Sequence, residues 1–259
     1  TDKLKTSGYE TKKTGFSVGT SFEQYDNFYI SPTFSAFHEE ITTNSSASKA
    51  LRAQGGSALE NNINYTLDYD LRDRGYQTRN GIRSKFTQGI PLVSEDYALL
   101  NGYEITKWHQ FENKMISKIS FYGRAITALS DGKDVKVSKR LRISPRRLRG
   151  FENGKVGPVD GKDYVGGNYA STLNLSTTLP MLFPSFESVD FKYFLDLGNV
   201  WGVDYSSTVG ESNILRSSTG LNVDWFTPVG PLNFSLSQSL SQASTDKTEK
   251  FQFNLGTTF

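Results

Sequence analysis

The sequence has no cysteine, two histidines and no long apolar run. Without cysteine there is no disulfide framework, no thiolate metal site and no cysteine nucleophile. His38 and His109 are too few and too scattered for most zinc sites. Neither sign of charge dominates: 29 Lys and Arg stand against 27 Asp and Glu, a formal net charge of +2. A nucleic-acid binder needs a basic surplus gathered on one face, so no nucleic-acid partner is expected. The uninterrupted apolar stretches are only a few residues long, far short of the ~20 that a membrane helix requires. The opening Thr1-Asp2-Lys3-Leu4-Lys5 has no apolar core of a signal peptide. No Ser-His-Asp arrangement, Gly-rich phosphate loop or HExxH helix occurs, and Gly166-Gly167 opens no helix. The expectation is a protein that is not an enzyme and holds no cofactor or metal.

Aromatic side chains are what the chain has in abundance. Its mean hydropathy is -0.48 and its hydrophobic fraction 36%, which taken alone suggests a polar soluble protein. Yet 18 Phe, 13 Tyr and 3 Trp make up 13% of the 259 residues. A polar average with many aromatics also describes a membrane β-barrel, whose strands turn apolar residues to lipid and polar residues to the lumen.

Periodicity favours that second reading. In 187–201, Val189, Phe191, Tyr193, Leu195, Leu197 and Trp201 alternate with Asp190, Lys192, Phe194, Asp196 and Gly198. One face is greasy and the other mostly charged, as a strand between two unlike media requires. In 115–129, Met115, Ile119, Phe121, Ala125 and Leu129 oppose Lys118, Ser120, Tyr122 and Arg124, and 213–225, 232–240 and the last nine residues repeat the pattern. Eleven strands are predicted: 14–22, 27–40, 58–69, 81–90, 96–110, 114–129, 163–179, 187–201, 213–226, 231–243 and 248–259. Several reach the ~9–11 residues of a tilted membrane strand, and no convincing helix lies between them. The predicted fold is all-β, an antiparallel transmembrane barrel.

Joins after the first, fifth, seventh and ninth strands are tight, whereas those after the second, sixth and eighth are long and rich in Ser, Gly and charge, 130–162 above all. Outer-membrane barrels have short periplasmic turns and longer extracellular loops. The last strand then runs inward and puts Phe259 at the periplasmic rim, and Thr1 falls on the exterior. An odd count of eleven would leave bare edges in lipid, where each unpaired backbone group is costly. The chain is therefore expected to be the C-terminal part of a longer barrel, or to have its start deleted.

Within the longest loop, Arg147-Leu148-Arg149-Gly150-Phe151 combines a fork-shaped donor, a residue that permits a tight backbone and an apolar plug. The tripeptide Arg149-Gly150-Phe151 also suits an ordinary loop turn. Asp196, on the polar face of the eighth strand, could accept Arg149 if the loop folds into the lumen, and a buried bidentate contact would lock it there.

Three further stretches join this one: Leu195-Asp196-Leu197-Gly198-Asn199-Val200-Trp201, then Trp225-Phe226-Thr227-Pro228-Val229-Gly230-Pro231-Leu232-Asn233-Phe234-Ser235, and the turn Asp73-Arg74-Gly75-Tyr76-Gln77-Thr78-Arg79-Asn80-Gly81. With the terminal Phe, these over 70–259 resemble the BamA family, the central barrel of the Gram-negative outer-membrane protein assembly machine. The resemblance implies a 16-stranded barrel preceded by periplasmic POTRA domains, of which residues 1–259 hold the last eleven or twelve strands, the POTRA domains and first strands being absent. It implies that 130–162 enters the lumen and that Arg149 pairs with Asp196. Where the family often has a second acceptor, a Glu, this chain has Asn174, which can accept but bears no charge.

The final strand, with Phe251, Phe253, Leu255, Gly256 and Phe259, resembles the recognition signal of outer-membrane barrels, and an ordinary lipid-facing strand fits it equally well. In the family it forms one side of a lateral seam where incoming strands add by backbone hydrogen bonds; Gly256 leaves a gap in the side-chain row that would ease loosening. Tyr29, Trp108, Tyr193, Trp201 and Trp225 are read as interfacial girdle or packing. The run Lys139-Arg140-Leu141-Arg142 with Arg146, Arg147 and Arg149 suits a solvated or lumen-inserted loop better than lipopolysaccharide phosphates. His38 is expected to be exposed, and 42–48 to be a mobile outer loop. The implied function is assembly of barrel proteins in the bacterial outer membrane. Its partners would be phospholipid and lipopolysaccharide, client barrels and the machine's lipoproteins. A TamA-like or two-partner-secretion transporter and a passive pore are the rivals.

Overall fold

The computed structural model describes residues 2–5 (backbone), 8–75, 77–94, 97–180, 188–204, 209–210, 213–227 and 230–255. In chain order its elements are β1 (Asp2–Lys5), β2 (Tyr9–Gly19), β3 (Phe22–Tyr25), β4 (Phe28–Thr43), the short helix α1 (Lys49–Arg52), β5 (Gly56–Asp70), β6 (Gly81–Ser94), β7 (Ala98–Gln110) and β8 (Ile116–Ala128). They continue with β9 (Val159–Asp160), β10 (Asp163–Tyr164), β11 (Tyr169–Thr178), β12 (Val189–Trp201), β13 (Arg216–Thr227), β14 (Gly230–Ser241) and β15 (Phe251–Leu255). Each wall strand pairs antiparallel with its neighbour in sequence, in the order β1-β2-β4-β5-β6-β7-β8-β11-β12-β13-β14-β15. This is a barrel wall built as a meander. Among the described residues no ladder joins β1 to β15.

Register shows why the alternation was needed. Tyr193, Leu221, Leu236 and Phe251 stand abreast across β12 to β15, and all four are exposed on the outer face. Three residues along β12, Ser120, Asn174, Asp196 and Ser218 stand abreast on β8, β11, β12 and β13, and they lie on the inner face. A slip of one residue would exchange these two sets. So broad a row of exposed aromatic and aliphatic side chains suits acyl chains, not water.

The inner face is covered rather than hollow. The connection between β8 and β11 folds back over it and contributes Val135, Leu141, Ile143, Leu148, Phe151 and Val156 to an apolar cluster with Ile126, Ala170 and Val200 of the wall. A second cluster joins Val137 and Val165 of that connection to Tyr9, Ile41, Ala47 and Leu51.

Several expectations need correction. Among the described residues the wall has twelve strands, the upper of the eleven or twelve expected, because Asp2–Lys5 pairs with β2, Asp2 opposite Lys13; the first described residue thus lies partway along the wall, not at its outer end. The short charged stretch carries too little alternation to be read as a strand. The first predicted strand, 14–22, is β2 with the added hairpin strand β3. The predicted strand 163–179 divides into β10 and β11, since Gly166 adopts a φ of 73° and breaks the run. Residues 42–48 are not a loose loop: Ala47 is buried and Ser48 caps α1, its hydroxyl accepting from the Leu51 amide at 3.0 Å. Trp108 faces inward, with Arg72 and Lys118 over its ring at 5.9 and 5.7 Å, so of the two readings it is packing and not girdle. Tyr29, opposite Asp68, lines an inner recess with Asp68, Arg72 and Arg83. Tyr193 and Trp225 are exposed on the outer face, Trp201 stacks on Tyr169 at 5.7 Å, and His38 is exposed. The turns 180–185 and 228–229 lie at least partly outside the described residues.

One buried ion pair ties the wall to the connection before β15. Arg216, at the start of β13, donates through Nε and Nη2 to Asp246 at 2.9 and 3.1 Å, and both side chains are 0% exposed. Removing one partner of such a pair leaves an uncompensated buried charge, a loss of roughly 3 kcal/mol. Arg216→Ala is therefore expected to lower the thermal midpoint of the membrane-embedded protein sharply, and the double change Arg216→Met with Asp246→Leu to restore most of it. Equal losses in both would show that the pair is not what holds this connection.

Candidate functional site

The connection from β8 to β11 is delivered to the inner face in steps. Its limbs are joined where Leu141 and Gly167 exchange backbone hydrogen bonds of 2.7 and 3.0 Å. Arg142 reaches across to the Tyr9 hydroxyl and the Tyr164 carbonyl, both at 2.7 Å. Ser144 then accepts from the amides of Arg147 and Leu148 at 2.9 and 3.2 Å, a turn that presents Arg149 to β12.

There Asp196 is 0% exposed and has four donors. Arg149 donates from Nε to Oδ2 at 2.7 Å and from Nη2 to Oδ1 at 2.8 Å, and its own amide adds a third bond at 3.1 Å. The Asn174 amide supplies the fourth, to Oδ1 at 2.8 Å. The Arg149 guanidinium carbon lies 3.6 Å from the centre of the Phe194 ring, so one face of the cation rests on π-electrons where water would otherwise sit. Charge-assisted, bidentate contact of this kind fixes both distance and orientation.

Asn174 acts differently from the expected second acceptor. Its amide donates, to Asp196 and to the Arg147 carbonyl at 2.6 Å. A carboxylate needs donors, and a Glu at that position would instead set a second negative charge beside Asp196. Gly150 has a φ of 86°, and a Cβ there would lie 3.1 Å from that of Ser237; only glycine passes so close in that conformation. Phe151 is 1% exposed within the apolar cluster.

The remaining basic residues of the run find protein partners, not an open surface. Arg147 forks onto Glu104 of β7 at 2.9 and 3.2 Å and lies over Tyr122. Arg140 is bonded to Asp204, to the Val135 carbonyl and to Asn168. Lys139 meets Glu60 at 2.9 Å. Only Arg146 is exposed, with long contacts of 3.5 Å to Asn254 and the Leu255 carbonyl. The acceptors Glu104, Asp204 and Glu60 escape a sequence reading, because pairing them requires the register.

Beyond Arg149 the same segment runs against the approach to β15. The Gly150 carbonyl accepts from the Glu249 amide at 3.0 Å, the Phe151 carbonyl from the Gln252 side chain at 2.8 Å, and the Glu152 amide donates to the Lys247 carbonyl at 2.9 Å. In β15 itself, Phe251, Phe253 and Leu255 are exposed on the outer face, and Phe253 packs on Phe234 at 5.1 Å. Gly256 and Phe259 lie outside the described residues.

Burial raises the Asp204 carboxyl, but hydrogen bonds from Arg140 and Asn168 and the Arg140 charge outweigh it and hold the group below the usual carboxylate range. A lowered folded value contributes stability that is complete above the ordinary range and is lost as pH falls through the lowered one. The difference in thermal midpoint between wild type and Asp204→Asn is therefore expected to be full at neutral pH and to shrink on acidification. For the Arg149 contact, Arg149→Ala should cost roughly 3 kcal/mol and raise heat and protease sensitivity of the intact barrel. Arg149→Lys, which keeps the charge but not the fork, should recover only part. Unchanged protease sensitivity in Arg149→Ala would contradict the contact's role.

Residues 1–259 match the Omp85 superfamily domain. The outer membrane protein assembly factor BamA of Neorickettsia risticii is 23% identical over 97% of this chain and 34% of its own length. That of Neisseria meningitidis is 32% identical over 43% of this chain and 17% of its own. The chain thus spans about a third or less of these relatives. Among solved structures, BamA from Haemophilus ducreyi lacking POTRA domains 1-3 superposes with a TM-score of 0.84 at 20% identity, covering 95% of this chain and 54% of that one. With the wall, its apolar outer face and its filled interior described, the match over the full length establishes that the chain belongs to the Omp85 superfamily, and its fold is that of the BamA barrel.

Proposed function

We propose that the chain is the C-terminal part of a barrel that inserts other β-barrel proteins into the outer membrane, without chemical catalysis. In this reading POTRA domains and further strands belong to the same protein, and assembly-machine lipoproteins are its partners in a bilayer of phospholipid and lipopolysaccharide. Client strands would add at a lateral seam bounded by β15. The observations that carry the reading are the match of residues 1–259 to the Omp85 superfamily domain and an inner face covered by the connection from β8 to β11 rather than open to solute. β15 pairs with β14 through five residues, from Leu232 opposite Leu255 to Leu236 opposite Phe251.

At a seam that opens, a strand edge would offer its N–H and C=O groups to an incoming strand, and hydrogen-bonded addition is favoured where no water competes. The contacts at Arg149 and at 150–152 would keep the wall and the root of β15 in place while the strand's far end exchanges partners. A passive pore fits less well, since the inner face is covered by the packed connection from β8 to β11.

The full-length protein reconstituted in phospholipid vesicles, with single cysteines placed one at a time at Phe253 on β15 and at Ile119 on β8, tests this. An unfolded client barrel should fold about tenfold faster or more, about 1.4 kcal/mol off the barrier, and should crosslink to position 253 rather than 119. No acceleration, or a steady large conductance without client, would overturn the proposal.

A further inference from the structure

On the outer face, cationic and hydroxyl side chains gather beside the tight turn between β7 and β8. Register lines up His109, Ser117, Thr177 and Tyr193 in one outward row. In the next row, farther from the turn, Lys107, Ile119, Leu175 and Leu195 stand abreast. The first row places two small residues between two rings, so the surface dips in its middle. Together with Lys118 and Ser176, these eight residues line a groove of about 410 Å³.

The chemistry of the groove is divided. One part is apolar, from Ile119, Leu175 and Leu195. The other holds the exposed Lys107 and His109 beside the Ser117 and Thr177 hydroxyls, which lie 3.1 Å apart and share one hydrogen bond. That sharing leaves a second O–H able to donate outward. Imidazole carries an N–H donor in either protonation state, and the His109 ring is braced edge-on against Phe111 at 4.7 Å. Lysine on such a surface lays its apolar stem along neighbouring side chains and sends its ammonium toward the headgroups. Donors and positive charge at the rim, with an apolar channel leading toward the bilayer centre, complement a phosphate joined to an acyl chain.

Position selects the source of that phosphate. The longest loops mark the extracellular end of an outer-membrane barrel; the longest connection, from β8 to β11, leaves one end of the wall, and the five-residue join 111–115 between β7 and β8 lies at the other, periplasmic end. Lipopolysaccharide phosphates lie at the other end of the wall. We infer that this groove is a binding site for one glycerophospholipid of the periplasmic leaflet. Its phosphate lies against Lys107, His109 and the Ser117–Thr177 pair, and one acyl chain lies along Ile119, Leu175 and Leu195. The site is on β7, β8, β11 and β12, away from β15, so its occupancy does not depend on the proposed assembly activity.

Native mass spectrometry of the full-length protein in detergent, with phosphatidylglycerol added, tests the site. Wild type and Lys107→Arg are expected to retain one tightly held lipid. Lys107→Gln with His109→Gln should lower its retention at least about tenfold. Ser117→Leu with Thr177→Leu keeps both cations but fills the dip, and should remove the same lipid. Heat-modifiable gel migration identifies variants that have folded. Retention of the lipid by either folded double variant would overturn the inference, as would displacement of the bound phospholipid from wild type by purified lipopolysaccharide.

Discussion

A carboxylate with no access to water must be supplied with donors or give up its charge. Asp196 is supplied from two directions: Asn174 comes from the neighbouring strand, and the Arg149 fork and amide come from a loop more than forty residues earlier in the chain. This one group therefore fixes where the longest connection can lie. Once Arg149 is placed, Gly150 must pass against Ser237 and Phe151 must enter the apolar cluster. From there the backbone can only run alongside 247–249. The wall provides the anchor, and the anchored loop in turn fills the wall's interior.

The same economy recurs around the inner face. Arg147 with Glu104, Arg140 with Asp204, Lys139 with Glu60 and Arg216 with Asp246 each join a connection to a strand or to another connection. A run of basic residues that looks suited to external phosphates is instead distributed among internal carboxylates. The outer face has the opposite composition, and the few polar side chains on it near the short turns stand out for that reason.

Much of this was legible before any coordinates. Alternation in 115–129 and 187–201 assigned Ile119, Phe121, Tyr193 and Leu195 to the outer face and Ser120 and Asp196 to the inner, because a period of two survives wherever one side of a ribbon meets lipid. The approach of Arg149 to Asp196 was expected from the family resemblance, whereas the residues alone left an ordinary loop turn open and made Asp196 only a possible acceptor. Other features were hidden for physical reasons. β1 is short and charged, so it carries no period. Trp108 sits inward because Arg72 and Lys118 provide for its ring there, a preference that hydropathy does not encode. Phe194 breaks the polar face of β12 because the Arg149 guanidinium lies on it. The acceptors of Arg140, Arg147 and Arg216 depend on register and on long connections, which composition alone leaves undetermined.

The central claim is that the segment around Arg149 is packed on the inner wall rather than exposed as a loop. Hydrogen–deuterium exchange of the full-length protein in a lipid nanodisc tests it most directly. Amides of 141–152 are predicted to exchange as slowly as those of β12 and β13, given their bonds to Asp196, Gly167 and Lys247. Complete exchange of that segment at the rate of an unstructured peptide would contradict the account.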